Sequence, residues 1–353
     1  MTAPQRVGIL GAGNIGTVHL QSAEAMSDAT VAAVADTESD RRARAERLGA
    51  DETFDDYRTL LAEEDLDAVV VALPPFLHRE ATVAAARAGY DVFVEKPFAR
   101  TSAEAEAMLA AADRFGVSVG VDHTMRYLPE VKRLKAAYDA GRLGHVPLAV
   151  VSRVNNGPFE HPEPSRRIPD WQLDPTATGG GALIDLGVHL LDVLEWFFGS
   201  LELRHAELTS QLNLPYEDTA SLVLRAETGT TAVLNCGFFQ WEEPPDVNAT
   251  IRLDGVAESL TGEEFAPNLI VHAAKSAAGN VLRRAIGSEP SYFEPTYYYR
   301  AHFDALRDFL TAIREGRRPP VSGDDGRRTI ELVSEAYEST DRPGRNEPLG
   351  VVE

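Results

Sequence analysis

Residues 6–10, RVGIL, form a short apolar run that breaks into Gly11-Ala12-Gly13-Asn14-Ile15-Gly16 and then into a helix-like segment reaching Met26. No feature restricts the fold more, because a strand that turns through glycines into a helix is half of a βαβ unit. The pattern recurs. The run TVAAVAD ends at Asp36 and leads into a helix from Ser39 to Leu48. DAVVVALP leads into a helix from His78 to Ala88, DVFVEKP into one from Ala103 to Phe115, and VSVGVDH closes the series. Nearly continuous β-branched strands alternating with helices predict a parallel sheet covered on both faces. Residues 1–122 therefore read as a doubly wound α/β domain.

From residue 123 the texture changes. After a helix from Pro129 to Ala140 come five strand-like stretches, PLAVVSRVN, LRHAELTSQLNL, TASLVLRAE, TTAVLNCGFF and NATIRLDG, separated by short turns such as Glu227-Thr228-Gly229. Close turns between alternating strands predict hairpins and a largely antiparallel, open sheet. Residues 123–353 are expected to form this second α/β domain. Phe265 to Pro295 reads as a long loop with short elements, and helices at His302–Arg314 and Gly326–Ser339 close the chain, where they can pack back on the first domain.

The chain has 353 residues, 44% of them hydrophobic, enough for two cores. It has no run of about 18 apolar residues and no signal-peptide layout, so a cytoplasmic protein without a membrane partner is expected. The single cysteine, Cys236, excludes an internal disulfide and a cysteine-clustered zinc site. Thirty-four basic against 55 acidic side chains leave a net charge of −21, which argues against a nucleic-acid partner. Lysine occurs only at 96, 132, 135 and 275. Such a surface suits a halophile, because self-repulsion of this size is best tolerated where salt screens it.

Gly11, Gly13 and Gly16 fit G-x-G-x-x-G between a strand and a helix, and Asp36 follows Gly16 by twenty residues at the end of the next strand. That layout predicts dinucleotide binding, with Asn14 and Ile15 at the helix start offering amides to the phosphates. A carboxylate at Asp36 accepts from ribose hydroxyls and repels a 2′-phosphate, so NAD is expected rather than NADP. Arg41 and Arg42 lie just downstream and are read as part of a solvated helix face.

Glu95-Lys96-Pro97 sits at the carboxyl end of a strand, the edge where open α/β sheets bind ligands. The stretch GGGALIDLGVHLLDVLEWFFG, Gly179 to Gly199, is apolar almost throughout yet carries Asp185, His189 and Asp192 at i, i+4 and i+7. On an α-helix those three share one stripe. A polar stripe on an otherwise buried helix fits either a satisfied structural pair or proton-transfer chemistry.

Together, GAGNIG, LPPFLHREATVAAARAGYDVFVEKP (Leu73 to Pro97) and DWQLDPTATGGGALIDLGVHLLD (Asp170 to Asp192) make the chain resemble the Gfo/Idh/MocA oxidoreductases, which include inositol dehydrogenase and glucose–fructose oxidoreductase. The resemblance runs over essentially the whole chain. It implies a Rossmann domain, a second domain whose open sheet makes subunit contacts in a dimer or tetramer, and an active site between them. It implies Lys96, Asp185 and His189 as catalytic residues, with Leu73, Pro74, His78 and Glu95 joining the glycine turn beside the cofactor. A cis peptide before Pro97 is also implied. Pro75 and the segment around Arg126 depart from the usual pattern. Arg126, Tyr127, Trp171 and Tyr298, the last within the run Tyr297–Tyr299, offer aromatic faces and polar tips to a sugar.

The expected activity is NAD-dependent dehydrogenation of a hydroxyl on a sugar, cyclitol or sugar acid. Two rivals are an NAD-retaining glycosidase or lyase working by transient oxidation, and a non-catalytic nucleotide- or sugar-binding protein. No metal site is expected, since Asp185 and His189 have no third ligand evident in the sequence.

Overall fold

A computed structural model describes residues 3–159, 168–238, 248–262, 278–279, 281–283, 285–286 and 297–340. The chain falls into two compact units. One comprises Met1–Phe98, Ala103–Tyr127 and Ala266–Gly326, the other Ala99–Ser102, Leu128–Phe265 and Arg327–Glu353. The units thus interleave along the chain, where the sequence suggested a single boundary after residue 122.

The first unit is built on six parallel strands, β1 (Gln5–Leu10), β2 (Ala29–Ala35), β3 (Glu52–Phe54), β4 (Ala68–Val71), β5 (Asp91–Val94) and β6 (Val119–Val121). Their order is β3-β2-β1-β4-β5-β6, the doubly wound arrangement whose direction reverses between β1 and β4. Helices α1 (Asn14–Glu24), α2 (Ser39–Leu48), α3 (Tyr57–Glu63), α4 (Pro75–Ala88) and α5 (Ser102–Phe115) intervene. Val7, Ile9, Val31, Val34, Val69, Val70, Val92 and Val94 are all fully buried, as a sheet covered on both faces requires. The sequence missed β3 and α3, which are short. Helix α4 begins at Pro75 rather than His78, because proline at the first helical position loses no hydrogen bond there.

Helix α6 (Pro129–Asp139) opens the second unit. Its sheet runs β12-β11-β7-β10-β9-β8, from β7 (Leu148–Val154), β8 (Leu201–Thr209), β9 (Thr219–Ala226), β10 (Thr231–Gly237), β11 (Asn248–Asp254) and β12 (Ser259–Gly262). All neighbours are antiparallel except β7 and β10, which run parallel at its centre. One face buries Ala149, Val151, Leu222, Ala232 and Leu234 completely; the alternate residues Val150, Ser152, Ser221, Val223, Val233 and Asn235 remain half-buried. A short helix α7 (Pro175–Thr178) precedes a π-helical turn, Leu183–Gly187, which continues directly into α8 (Val188–Phe198).

Two long helices follow, α9 (Tyr297–Arg314) and α10 (Gly323–Ser339), both starting earlier than the sequence suggested. Within the first unit α9 lies along α1 and stacks Phe309 on Phe93 of β5, ring centres 5.2 Å apart. Most of 265–295, expected as a loop with short elements, lies outside the described residues, and so do the side chains of Tyr297, Tyr298 and Tyr299.

Candidate active site

In the first unit the carboxyl ends of β1 and β4 flank the glycine turn. Gly11 has φ +97°, a backbone that favours glycine. A Cβ on Gly16 would lie 1.9 Å from the Gly11 carbonyl oxygen, so only glycine allows α1 to start so close to β1. A Cβ on Gly13 would meet nothing within 4 Å. Gly13 is also the residue that caps α1, with no side chain bonded to the helix amides. Open space before uncapped amide donors fits a dinucleotide pyrophosphate.

Asp36 follows β2 and is 8% exposed. Its Oδ2 accepts from the Ala12 amide at 2.8 Å and its Oδ1 from the Glu38 amide at 2.9 Å. Arg41 and Arg42 are partly exposed, as expected of a solvated face, and also turn toward Asp36. Arg41 Nη1 stands 3.4 Å from Asp36 Oδ2, and Arg42 Nη1 donates to the carbonyls of Asp36 and Thr37. Arg44, missed in the sequence because it sits in an arginine-rich helix, donates to the Ala12 carbonyl at 2.7 Å and to Thr17 Oγ1. Three guanidinium groups therefore line this strand end.

Beyond β4, Leu73 and Pro74 lead into α4. His78 is fully buried rather than facing open space, with Nε2 2.8 Å from the Leu73 carbonyl and Nδ1 2.9 Å from that of Pro97. Burial lowers its pKa, the two carbonyls opposing that shift, and the ring bridges the two segments. The Lys96–Pro97 peptide is cis, in line with the resemblance. Lys96 is half-buried, and its amide donates to Glu95 Oε2 at 3.1 Å. The Glu95 carboxylate turns inward, 4% exposed, with Oε1 2.7 Å from His19 Nε2. Arg126, with Tyr127, is buried in the short helix Thr124–Tyr127, and it pairs with Asp325 at 3.2 Å.

The second unit carries Asp185 and His189. Asp185 falls in the π-helical turn, so the two do not share the simple α-helical stripe inferred from their spacing. Asp185 is half-buried, His189 1% exposed and Asp192 fully buried. The Asp185 charge reaches Tyr216, whose hydroxyl is pushed up to about 12 by burial first and by Asp185 and Glu217 next. Burial also pushes the Cys236 thiol up, and its Sγ lies 3.5 Å from the Ala182 carbonyl. Trp171 is half-buried in the short helix Asp170–Leu173.

What fixes this helix start is Glu217, which no sequence motif singles out. Its carboxylate accepts from the amides of Gly181 and Leu183 at 3.0–3.1 Å and from the Tyr337 hydroxyl at 2.8 Å. A Cβ at Gly181 would sit 1.9 Å from the Glu217 carbonyl, and one at Gly180 2.0 Å from the Tyr337 hydroxyl. Gly180 and Gly181 are thus required by close packing around a buried cap. Burial raises the Glu217 pKa, the amides and Tyr337 opposing it.

The family model described as the oxidoreductase family with an NAD-binding Rossmann fold matches residues 5–123. That of the Gfo/Idh/MocA C-terminal domain matches residues 131–259. The chain belongs to the Gfo/Idh/MocA oxidoreductases. Among relatives of this Gfo/Idh/MocA protein, the myo-inositol 2-dehydrogenase of Thermotoga maritima is 28% identical, over 95% of this chain and 96% of that one. A D-xylose 1-dehydrogenase (NADP(+)) of Haloferax volcanii is also 28% identical, over 95% and 97%. A solved levoglucosan dehydrogenase in complex with NADH and L-sorbose shares the fold, with a TM-score of 0.80 at 21% identity over 96% and 97% of the two chains. No helix among the described residues is long and apolar enough to cross a membrane.

Proposed function

We propose that the protein oxidises a secondary or anomeric hydroxyl of a sugar, cyclitol or sugar acid with NAD as hydride acceptor. The observation that carries this reading is His189, buried at the start of α8 and preceded by Asp185 on a π-helical turn, in a chain of this family. His189 removes the hydroxyl proton as the C–H hydride departs. Asp185 supports the imidazolium that forms. The Lys96 ammonium holds the substrate oxygen and favours its alkoxide form. The glycine turn and the amides of α1 bind the cofactor phosphates, and Trp171 supplies an aromatic face for the substrate. Relatives acting on myo-inositol and D-xylose support a polyhydroxylated substrate.

A panel of sugars and polyols, assayed with both cofactors for reduced nicotinamide, tests the proposal. Product formed without stoichiometric NADH would replace it by transient oxidation. Binding without any turnover would replace it by a sensor.

Cofactor choice should follow Asp36. The parent protein is expected to show the higher kcat/KM with NAD, since a carboxylate at the end of β2 accepts from ribose hydroxyls. Asp36→Ser should shift preference toward NADP by about tenfold or more, because Arg41 and Arg42 then face a 2′-phosphate without a competing carboxylate. An Asp36→Ser protein that keeps the parent's cofactor ratio would show that the aspartate does not select.

The half-buried face of the second sheet, with Val150, Val223 and Val233, is the surface through which a homo-oligomer is expected to form. Net charge of −21 opposes both fold and assembly. Salt near 1 M, which shortens the Debye length to about 3 Å, should therefore raise the melting temperature and favour the oligomer. Thermal melts and light scattering across a KCl series check this; a flat or falling melting temperature would sink it.

A further inference from the structure

Behind Lys96, four elements of the first unit converge on two imidazoles and two carboxylates. His19 comes from α1, Glu95 follows β5, Asp122 follows β6 and His302 stands on α9. None is more than 4% exposed. His19 Nε2 lies 2.7 Å from Glu95 Oε1 and 3.4 Å from Asp122 Oδ2. His302 Nδ1 is hydrogen-bonded to Asp122 Oδ2 and stands 3.7 Å from Glu95 Oε1. One donor atom from each residue lies within 4.8 Å of all the others.

We propose that His19, Glu95, Asp122 and His302 form a structural site for one divalent transition-metal cation, with zinc the best match.

Charge is the first reason. Two carboxylates side by side in a dry interior demand about two units of positive charge, and a lone buried pair is costly. With both imidazoles neutral, a divalent cation makes the five-membered assembly neutral. The donor set is the second reason. Two nitrogens and two carboxylate oxygens suit borderline cations, and four protein ligands with no access for water make a closed structural site.

Distances agree. Ligand atoms about 2.0–2.2 Å from a tetrahedral metal stand roughly 3.3–3.6 Å from one another. The 3.4 Å edge already matches, and the 3.7 Å edge lies just above that range. The two closer edges are hydrogen bonds, which open by under about 1 Å when a metal takes the place of the shared protons. Asp122 Oδ1 has no hydrogen-bond partner among the described residues, while its Oδ2 faces both imidazoles. Bound metal would tie α1, the ends of β5 and β6, and α9 into one cross-link directly behind Lys96.

The test uses the full chain, stripped with chelator and then titrated with zinc or cobalt(II). Expected are one equivalent of metal retained per chain after dialysis, a higher melting temperature, and the intense visible d–d bands of four-coordinate cobalt. His302→Gln and Asp122→Asn should each weaken uptake more than about 100-fold, beyond the usual cost of losing an outer partner of a ligand. Unmodified protein that retains no metal, or gives only the pale spectrum of six-coordinate cobalt, would overturn the proposal. So would variants that bind zinc as tightly as the parent. Where a variant does not fold, the cobalt spectrum of the unmodified chain still decides, and none of these readouts depends on dehydrogenase activity.

Discussion

Turnover of the His189→Ala protein on any active polyol is expected to fall about 10²-fold or more, while NADH binding stays near the parent value. The imidazole is buried at the first turn of α8, and under the proposed mechanism its removal takes away the base, while the glycine turn belongs to the other unit. Asp185→Ala should lose a comparable factor, since an imidazolium formed in a dry site needs a neighbouring carboxylate. Lys96→Met should follow them through loss of the positive charge on the substrate oxygen. Steady-state kinetics beside a fluorescence titration with NADH separates chemistry from binding. Near-normal turnover in the histidine variant removes it from the mechanism.

Gly16→Ala and Gly13→Ala are expected to part company sharply. The new methyl at 16 would press on the backbone carbonyl of Gly11, which cannot move aside as a side chain can. A loss of about 3 kcal/mol or more of stability is expected, together with loss of dinucleotide affinity. At 13 the methyl enters open space, so denaturant unfolding should change by no more than about 1 kcal/mol. Under the proposed function that same space receives the pyrophosphate, and NADH affinity should fall by more than tenfold. A Gly13→Ala protein that binds NADH as the parent does would show that the phosphates lie elsewhere.

The sheet of the first unit was legible because β1, β2, β4, β5 and β6 are runs of β-branched and small apolar residues, each closed by a turn signal. Strand β3 is only Glu52-Thr53-Phe54 and has no run to read. In the second unit, alternation marked five strands but hid the parallel contact of β7 with β10, since period says nothing about partner. Asp185 and His189 were legible as polar residues inside an apolar segment. Their phase was not, because a π-helical turn leaves no periodic trace in five residues.

Distance along the chain explains what was missed. Glu217 caps a helix that starts thirty-odd positions earlier, and four clustered groups at 19, 95, 122 and 302 share no motif. Glu95 stood out at its strand end only as a cofactor neighbour, and His19 and Asp122 carried no signal beyond a polar residue beside an apolar run. The pairing of Arg126 with Asp325, 199 residues away, likewise left no local trace.

The tyrosine at 337 has a bearing on how this protein is made. Amino-terminal segments leave the ribosome first, and contacts remote in sequence form late. Strands β7 to β12 and the segment from Gly181 to Phe198 are complete long before the Tyr337 hydroxyl exists to hold Glu217 against those amides. A nascent chain, or one clipped ahead of α10, therefore carries His189 on a helix whose start is incompletely secured. Full order in that helix waits on α10, so competence is withheld until α10 has been synthesised and has docked.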